Sequence, residues 1–177
     1  MIHGDSFEIL PLMKENSADL ILTDPPYDGL TRTAIEELHR QFMRISRRGV
    51  IVFCPPENPW VTPADQYLFW IKPTSTKNTS KRYSRFVEQI FLYGDLKWNT
   101  GRFWAQYTNI FMDLVDDPHL HPFRKPPSLI ERLILNHSDE GDHILDPFAG
   151  SGVVASVGER LGRTVTSIEI DEEYNVS

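Results

Sequence analysis

Short apolar runs cut off by prolines set the pattern of this chain. Ala18-Asp19-Leu20-Ile21-Leu22-Thr23 reads as a buried strand, and it ends at Asp24-Pro25-Pro26 because proline cannot donate to a central ladder. From Thr31 to Ser46 the apolar positions Ala34, Ile35, Leu38, Phe42, Met43 and Ile45 fall close to helical spacing, so a helix returns the chain. Arg48 to Cys54 is the next strand, stopped by Pro55-Pro56. Tyr67 to Ile71 and Phe86 to Tyr93, rich in aromatic and β-branched residues, are two further strands, with a polar loop or small insertion from Lys72 to Arg85 between them. Pro127 to Asn136 predicts a helix with Ser128 near its start, His143-Ile144-Leu145 a strand, Val153 to Leu161 a helix and Thr164 to Ile168 a strand. Strands alternating with helices predict an α/β domain with a largely parallel sheet.

Composition narrows the setting. With 177 residues, 40% of them hydrophobic, the chain suits one domain with one sizeable core. Its longest apolar runs are far shorter than the roughly 20 residues that span a bilayer. Met1-Ile2-His3-Gly4-Asp5 lacks the basic and apolar regions of a secretory signal, and the single cysteine, Cys54, rules out an internal disulfide. The expected compartment is the cytoplasm. A formal net charge of −7 argues against a nucleic-acid partner until its distribution is considered. Between Trp70 and Ala105, Lys72, Lys77, Lys81, Arg82, Arg85, Lys97 and Arg102 stand against only Glu88 and Asp95. That is a local basic face on an acidic body, or a solvated loop with ordinary lysines.

Two segments carry chemistry. Ile144 to Glu169 runs strand, glycine-bearing turn, helix, strand, acid, the layout of a nucleotide-binding unit. Gly150 and Gly152 permit close backbone approach, and Glu169, 17 residues beyond Gly152, is placed to accept bonds from two ribose hydroxyls. No Lys-Ser/Thr follows the glycines, so a phosphate-cradling loop is not expected. The turn opens with Asp146, which repels phosphate and suits a cationic, sulfonium ligand. In Asp24-Pro25-Pro26-Tyr27, the Asp24 carboxylate and Pro25 carbonyl offer two acceptors for the two donors of an exocyclic amine, and Tyr27 offers a ring for stacking. Alone, four such residues make no more than a turn after a strand.

Together the segments resemble the amino-directed DNA methyltransferases of the permuted β group, in which the catalytic motif precedes the cofactor motif. Asp24-Pro25-Pro26-Tyr27 is similar to the catalytic motif, Asp146-Pro147-Phe148-Ala149-Gly150-Ser151-Gly152 to the cofactor loop, and Ile168-Glu169-Ile170-Asp171 to the ribose-contacting strand end. His121-Pro122-Phe123-Arg124-Lys125-Pro126 resembles the His-Pro-Thr-Gln-Lys-Pro segment with Phe-Arg in place of Thr-Gln, and His3-Gly4-Asp5-Ser6 resembles the opening Gly-Asp. The resemblance implies a Rossmann-like class I methyltransferase fold, circularly permuted, with helices on both faces of a mostly parallel sheet. It implies one methyltransferase domain over 1–177, with a short target-recognition insertion at about 72–104. It implies S-adenosylmethionine as cofactor, held by Asp5, Lys125, Asp146, Phe148, Gly150, Ser151, Gly152 and Glu169, and double-stranded DNA as substrate. The expected reaction is adenine-N6 methylation of a flipped base, since adenine members usually carry Asp before Pro-Pro-Tyr and cytosine-N4 members Ser. Cytosine N4, an RNA or protein amide, or a non-catalytic DNA-binding role are the alternatives.

Lys77, Lys81, Arg82 and Arg85 are expected to contact phosphate without reading sequence. Phe86 is expected in the core, and Trp98 and Trp104 in a packed loop rather than as base wedges. Cys54 is expected to pack in the core. His119 and His121 have a metal-compatible spacing, but methyl transfer needs no metal and none is expected. The chain stops at Asn175-Val176-Ser177, where the family commonly continues into a helix, so a second protomer is expected to cover that flank. A homodimer and a cognate restriction enzyme are the protein partners the resemblance suggests.

Overall fold

A computed structural model describes residues 1–26, 29–72, 86–101, 103–112 and 125–171. In chain order its elements are β1 (Ile2–His3), α1 (Ser6–Ile9), β2 (Ala18–Thr23), α2 (Arg32–Ile45), β3 (Ser46–Cys54), β4 (Gln66–Ile71), β5 (Val87–Gly94), β6 (Ile110–Phe111), α3 (Pro127–His137), β7 (His143–Asp146), α4 (Val153–Arg160) and β8 (Thr164–Glu169). Short 3₁₀ turns lie at Leu10–Leu12 and Trp104–Tyr107. Every element expected from the sequence forms, with its ends within two residues of the expected ones. β1, α1 and β6 were not anticipated, because elements of two to four residues show no period.

The strands form one eight-stranded sheet in the order β1-β8-β7-β2-β3-β5-β4-β6. From β1 to β3 every neighbour is parallel, while β5 runs antiparallel to both β3 and β4. Alternation along the strands supplies both faces. Val50, Val52 and Cys54 of β3 and Phe91 and Tyr93 of β5 join the cluster containing Ile35, Leu38, Phe42 and Ile45 of α2. Ile51, Phe53, Ile90 and Leu92 join the opposite cluster, with Leu129, Leu133 and Ile134 of α3 and Val153, Val154 and Val157 of α4. Helices therefore cover both faces, as the permuted fold requires. α2 starts where the Thr31 hydroxyl accepts from the Ala34 amide at 3.2 Å, and its ring at Phe42 stacks on Trp60 with centroids 5.8 Å apart.

This arrangement creates the crevice. β2 leads through α2, on one face, to β3; β7 leads through α4, on the other face, to β8. β2 and β7 are themselves paired, Leu20 with Ile144 and Ile21 with Leu145. The connections diverge at the carboxyl ends of two adjacent strands, the switch point where open α/β sheets leave room for ligands. Cys54 packs in the core as expected. Phe86 does not: it is 45% exposed, because it precedes β5 and lies past the last ladder pair, Ile71 with Val87.

One close approach fixes the spacing of β3 and β5. A Cβ at Gly49 would lie 2.2 Å from the Tyr93 carbonyl oxygen and 2.8 Å from the Leu96 side chain. Because the first of these is backbone in a ladder, it cannot yield cheaply. Gly49→Ala is expected to destabilise the fold by about 3 kcal/mol, the upper end of ordinary overpacking, read as a lowered urea midpoint. An unchanged midpoint would mean the ladder tolerates the methyl group.

Candidate active site

Parallel register brings acids to one edge of the sheet. β1, β8, β7 and β2 point the same way, and their carboxyl ends carry Asp5, Glu169, Asp146 and Asp24. A fifth acid arrives from the opposite direction. β5 is antiparallel to β3, so its amino end, with Glu88, lies at the edge where β3 ends.

The acids are held in three ways. Asp5 caps α1, its Oδ1 accepting from the Phe7 amide at 2.8 Å, and the Gly4 amide donates to the Glu169 carbonyl at 2.9 Å. Next to it the Ser6 hydroxyl donates to the Pro147 carbonyl, tying α1 to the glycine turn. Glu169 holds that turn as well: its Oε2 accepts from the Gly150 amide at 2.6 Å and its Oε1 from the Asp171 amide at 3.0 Å. Gly150 and Gly152, at φ 46° and 71°, have the left-handed backbone that glycine adopts without strain.

Asp146 spans the two strand ends. Its Oδ1 accepts from the Thr23 hydroxyl at 2.8 Å and from the Phe148 amide at 3.3 Å. At 2% exposure, burial pushes its pKa up to about 7, with the charges of Asp24 and Glu169 adding to the rise and the two hydrogen bonds opposing it.

Asp24 is bound by a buried cation. The Lys125 ammonium donates to Asp24 Oδ2 and lies 3.1 Å from Glu88 Oε2, while Lys72 bonds the other oxygen of Glu88. Burial disfavours the charge on Lys125, but Asp24 and Glu88 outweigh it and hold the ammonium above its usual pKa. Burial likewise disfavours ionised Glu88, and Lys125 and Lys72 outweigh it, holding that carboxyl below its usual range.

A cleft of about 590 Å³ opens over this edge, within the range of roughly 300–1,000 Å³ usual for small-molecule sites. It brings together Asp24, Pro25 and Pro26 of the expected catalytic loop with Asp5, Lys125, Phe148, Gly150 and Glu169 of the expected cofactor set. Asp146 and Ser151 line instead a smaller adjoining cavity of about 130 Å³, which shares Asp24, Lys125, Phe148 and Gly150 with the first. Gly152 lines neither and starts α4. Tyr27 and the expected DNA contacts Lys77, Lys81, Arg82 and Arg85 lie outside the described residues, as do Phe123, Arg124, His119, His121 and residues 172–177. Among the described residues no group of three or more His, Cys, Asp and Glu is arranged to hold a metal ion.

The sequence reading missed Ser6, Thr23 and Glu88. Ser6 and Thr23 carry no sequence signal, since their partners lie 141 and 123 residues away. Glu88 did carry one: it shares the parity of Ile90 and Leu92, so it is an acid in a core position. The tryptophans divide. Trp98 packs edge-on against His137, with centroids 4.7 Å apart, yet stays 41% exposed, and Trp104 is 69% exposed beside Phe103.

Comparison with known proteins follows the same outline. The profile of a family described as DNA methylase matches residues 72–176. The type II methyltransferase M.HpaI of Haemophilus parainfluenzae is 50% identical over 98% of this chain and 71% of its own length. The DNA adenine methyltransferase YhdJ of Escherichia coli K12 is 28% identical over 98% of this chain and 79% of its own. Among solved structures, M1.HpyAVI, crystallised as a SAM complex, superposes with a TM-score of 0.76 at 26% identity, over 98% of this chain and 96% of its own. The PvuII methyltransferase, a cytosine-N4-specific enzyme, shares the fold at 18% identity and a TM-score of 0.73, over 97% of this chain and 82% of its own.

The buried Asp146 gives the ligand-free protein a pH signature. Folded, it keeps its proton up to about pH 7; unfolded, it releases it near 3.8. The folded state therefore binds more protons between those values, and stability is expected to fall as pH rises from about 4 to about 7, by roughly 4 kcal/mol from this group. Asp146→Asn removes that contribution. Urea denaturation at pH 4.5 and 7.5 checks it: parallel pH dependence in the two proteins would contradict a buried, proton-holding Asp146.

Proposed function

The chain belongs to the DNA methylase family, and on that premise we propose that it transfers the methyl group of S-adenosylmethionine to N6 of an adenine turned out of duplex DNA. One observation carries this reading: Asp24 and Pro25 share a single cleft with Glu169 and Gly150. A loop suited to an amine and a turn suited to a nucleoside thus face the same space.

The lining fits such a cofactor. Glu169 and Asp5 offer carboxylate oxygens to hydroxyls and amines, each oxygen having lone pairs beyond its amide bond. Phe7 and Ile170, 38% and 63% exposed, give the cleft apolar walls for a planar base. Lys125, Phe148, Ser151, Gly152 and Asp146 complete the proposed set. The sulfonium of the bound cofactor supplies an activated methyl group, and an acidic edge suits its positive charge.

The chain's own residues prepare the acceptor. An adenine amine inside a duplex cannot reach a crevice, so the base leaves the stack at a cost of a few kcal/mol. Tyr27 stacks on it. The Asp24 carboxylate and Pro25 carbonyl accept its two N–H bonds, which favours a pyramidal nitrogen with its lone pair turned outward. Positioning then supplies much of the rate, and the methylated amine, now cationic, loses its excess proton to water. Asp before Pro-Pro, together with the adenine specificity in the name of YhdJ, supports adenine over cytosine.

Lys77, Lys81, Arg82 and Arg85 are proposed to grip phosphates. Because β5 lies inside the 72–104 stretch and belongs to the sheet, recognition is assigned to the residues that flank it. A homodimer and a cognate restriction enzyme extend the same reading, as does a cytoplasmic location; no helix among the described residues is long and apolar enough to cross a membrane.

Nucleoside analysis of DNA from cells expressing the chain tests the proposal. N6-methyladenine is expected with the wild type, and Asp24→Ala is expected to lower the rate at least about a hundredfold, as loss of an aimed hydrogen-bonding group does elsewhere. N4-methylcytosine, or methyl groups found only in RNA or protein, would overturn the assignment.

A further inference from the structure

We propose that Glu88 is a positioning residue for methyl transfer: it competes with Asp24 for the Lys125 ammonium, and so leaves the Asp24 carboxylate available as an acceptor for the substrate amine. The proposal rests on the role given to Asp24 above and assigns a second acid to the same site.

Geometry places Glu88 between the catalytic acid's cation and the core. The strand alternation of β5 turns it toward the face of Ile90 and Leu92, and it is 6% exposed. A buried carboxylate costs several kcal/mol unless paired, and an apolar residue would complete that face without the cost. Instead Glu88 takes two cations: Lys72 on Oε1 and Lys125 on Oε2, the latter at 3.1 Å. Lys125 is walled in as well, its ammonium 5.2 Å from the Phe53 ring centroid and 6.0 Å from that of Trp70. Its side chain is 5% exposed, so bulk water contributes little to its solvation and the carboxylates of Asp24 and Glu88 stand in for it.

An ammonium is a much stronger donor than a neutral aromatic amine, because its hydrogen bonds are charge-assisted. If Lys125 had Asp24 alone, the incoming amine would have to compete with a full, desolvated ion pair. Glu88 offers the same ammonium a second acceptor of equal charge. Both carboxylates, Asp24 and Glu88, line the cleft beside Lys125. Lys72 is more open than Lys125, at 26% side-chain exposure, and bonds the other oxygen of Glu88.

The test combines two substitutions with the pH dependence of kcat on duplex DNA. Glu88→Gln keeps the shape and removes the charge; kcat is expected to fall about tenfold. Loss of a neighbouring negative charge favours ionised Asp24, so the acid limb of the profile is expected to move to lower pH. With Lys125→Met as background, adding Glu88→Gln is expected to change kcat less than twofold, because the ammonium it restrains is gone. Lys125→Met alone strands a buried carboxylate, so each protein's thermal denaturation is measured alongside, and the double variant, which removes one charge of each sign, carries the comparison. Wild-type kcat in Glu88→Gln, an acid limb that stays in place, or a tenfold loss in both backgrounds would overturn the proposal while leaving the functional reading intact. A wild-type chain that transfers no methyl group to DNA fails that reading and takes this proposal with it.

Discussion

The parallel pairing of β2 with β7 is the constraint on which the site depends. These strands are more than a hundred residues apart in sequence, and each is followed by a helix on a different face of the sheet. Their pairing sets Thr23 beside Asp146, and the 2.8 Å hydrogen bond between them joins the Asp24-Pro25-Pro26 loop to the glycine turn. Without that register, Asp24 and Gly150 would belong to two unrelated turns. With it, a chain whose motifs stand in permuted order closes the same crevice that an unpermuted one would.

The same register concentrates negative charge, and the structure manages it by three different means. Asp5 and Glu169 accept backbone amides. Asp146, deeply buried, is placed to hold a proton near neutral pH. Asp24 and Glu88 share Lys125, a cation more buried than either of them. The amide-bonded acids hold the turns in place, while the Lys125 group ties the Asp24-Pro25-Pro26 loop to the rest of the sheet edge.

Much of this was legible in the sequence because it is local. Strands end at prolines, α2 shows its stripe, and the glycine turn has its strand before and its acid after. The opposite faces of α2 and of α3 and α4 follow from the alternation of β3 and β5. What was not legible depends on distance or on counting past an element's end. Ser6 and Thr23 matter through partners far along the chain. Phe86 has the apolar character of a core residue but stands one position before the ladder starts. Glu88 was counted as one charge in a basic stretch, although its place in the alternation of β5 already marked it as buried. Lys125 was read through the motif as a cofactor contact, and only the fold reveals that Asp24 and Glu88 are its neighbours.

The central claim is that one cleft, built across the β2–β7 switch point, holds both the methyl donor and the acceptor loop. A crystal structure of the chain with S-adenosylmethionine tests it most directly. The account predicts adenosine against Glu169, Phe7 and Ile170, with the sulfonium methyl directed toward Asp24 and Pro25. Cofactor bound elsewhere, or bound in the cleft with its methyl directed away from Asp24, would contradict it.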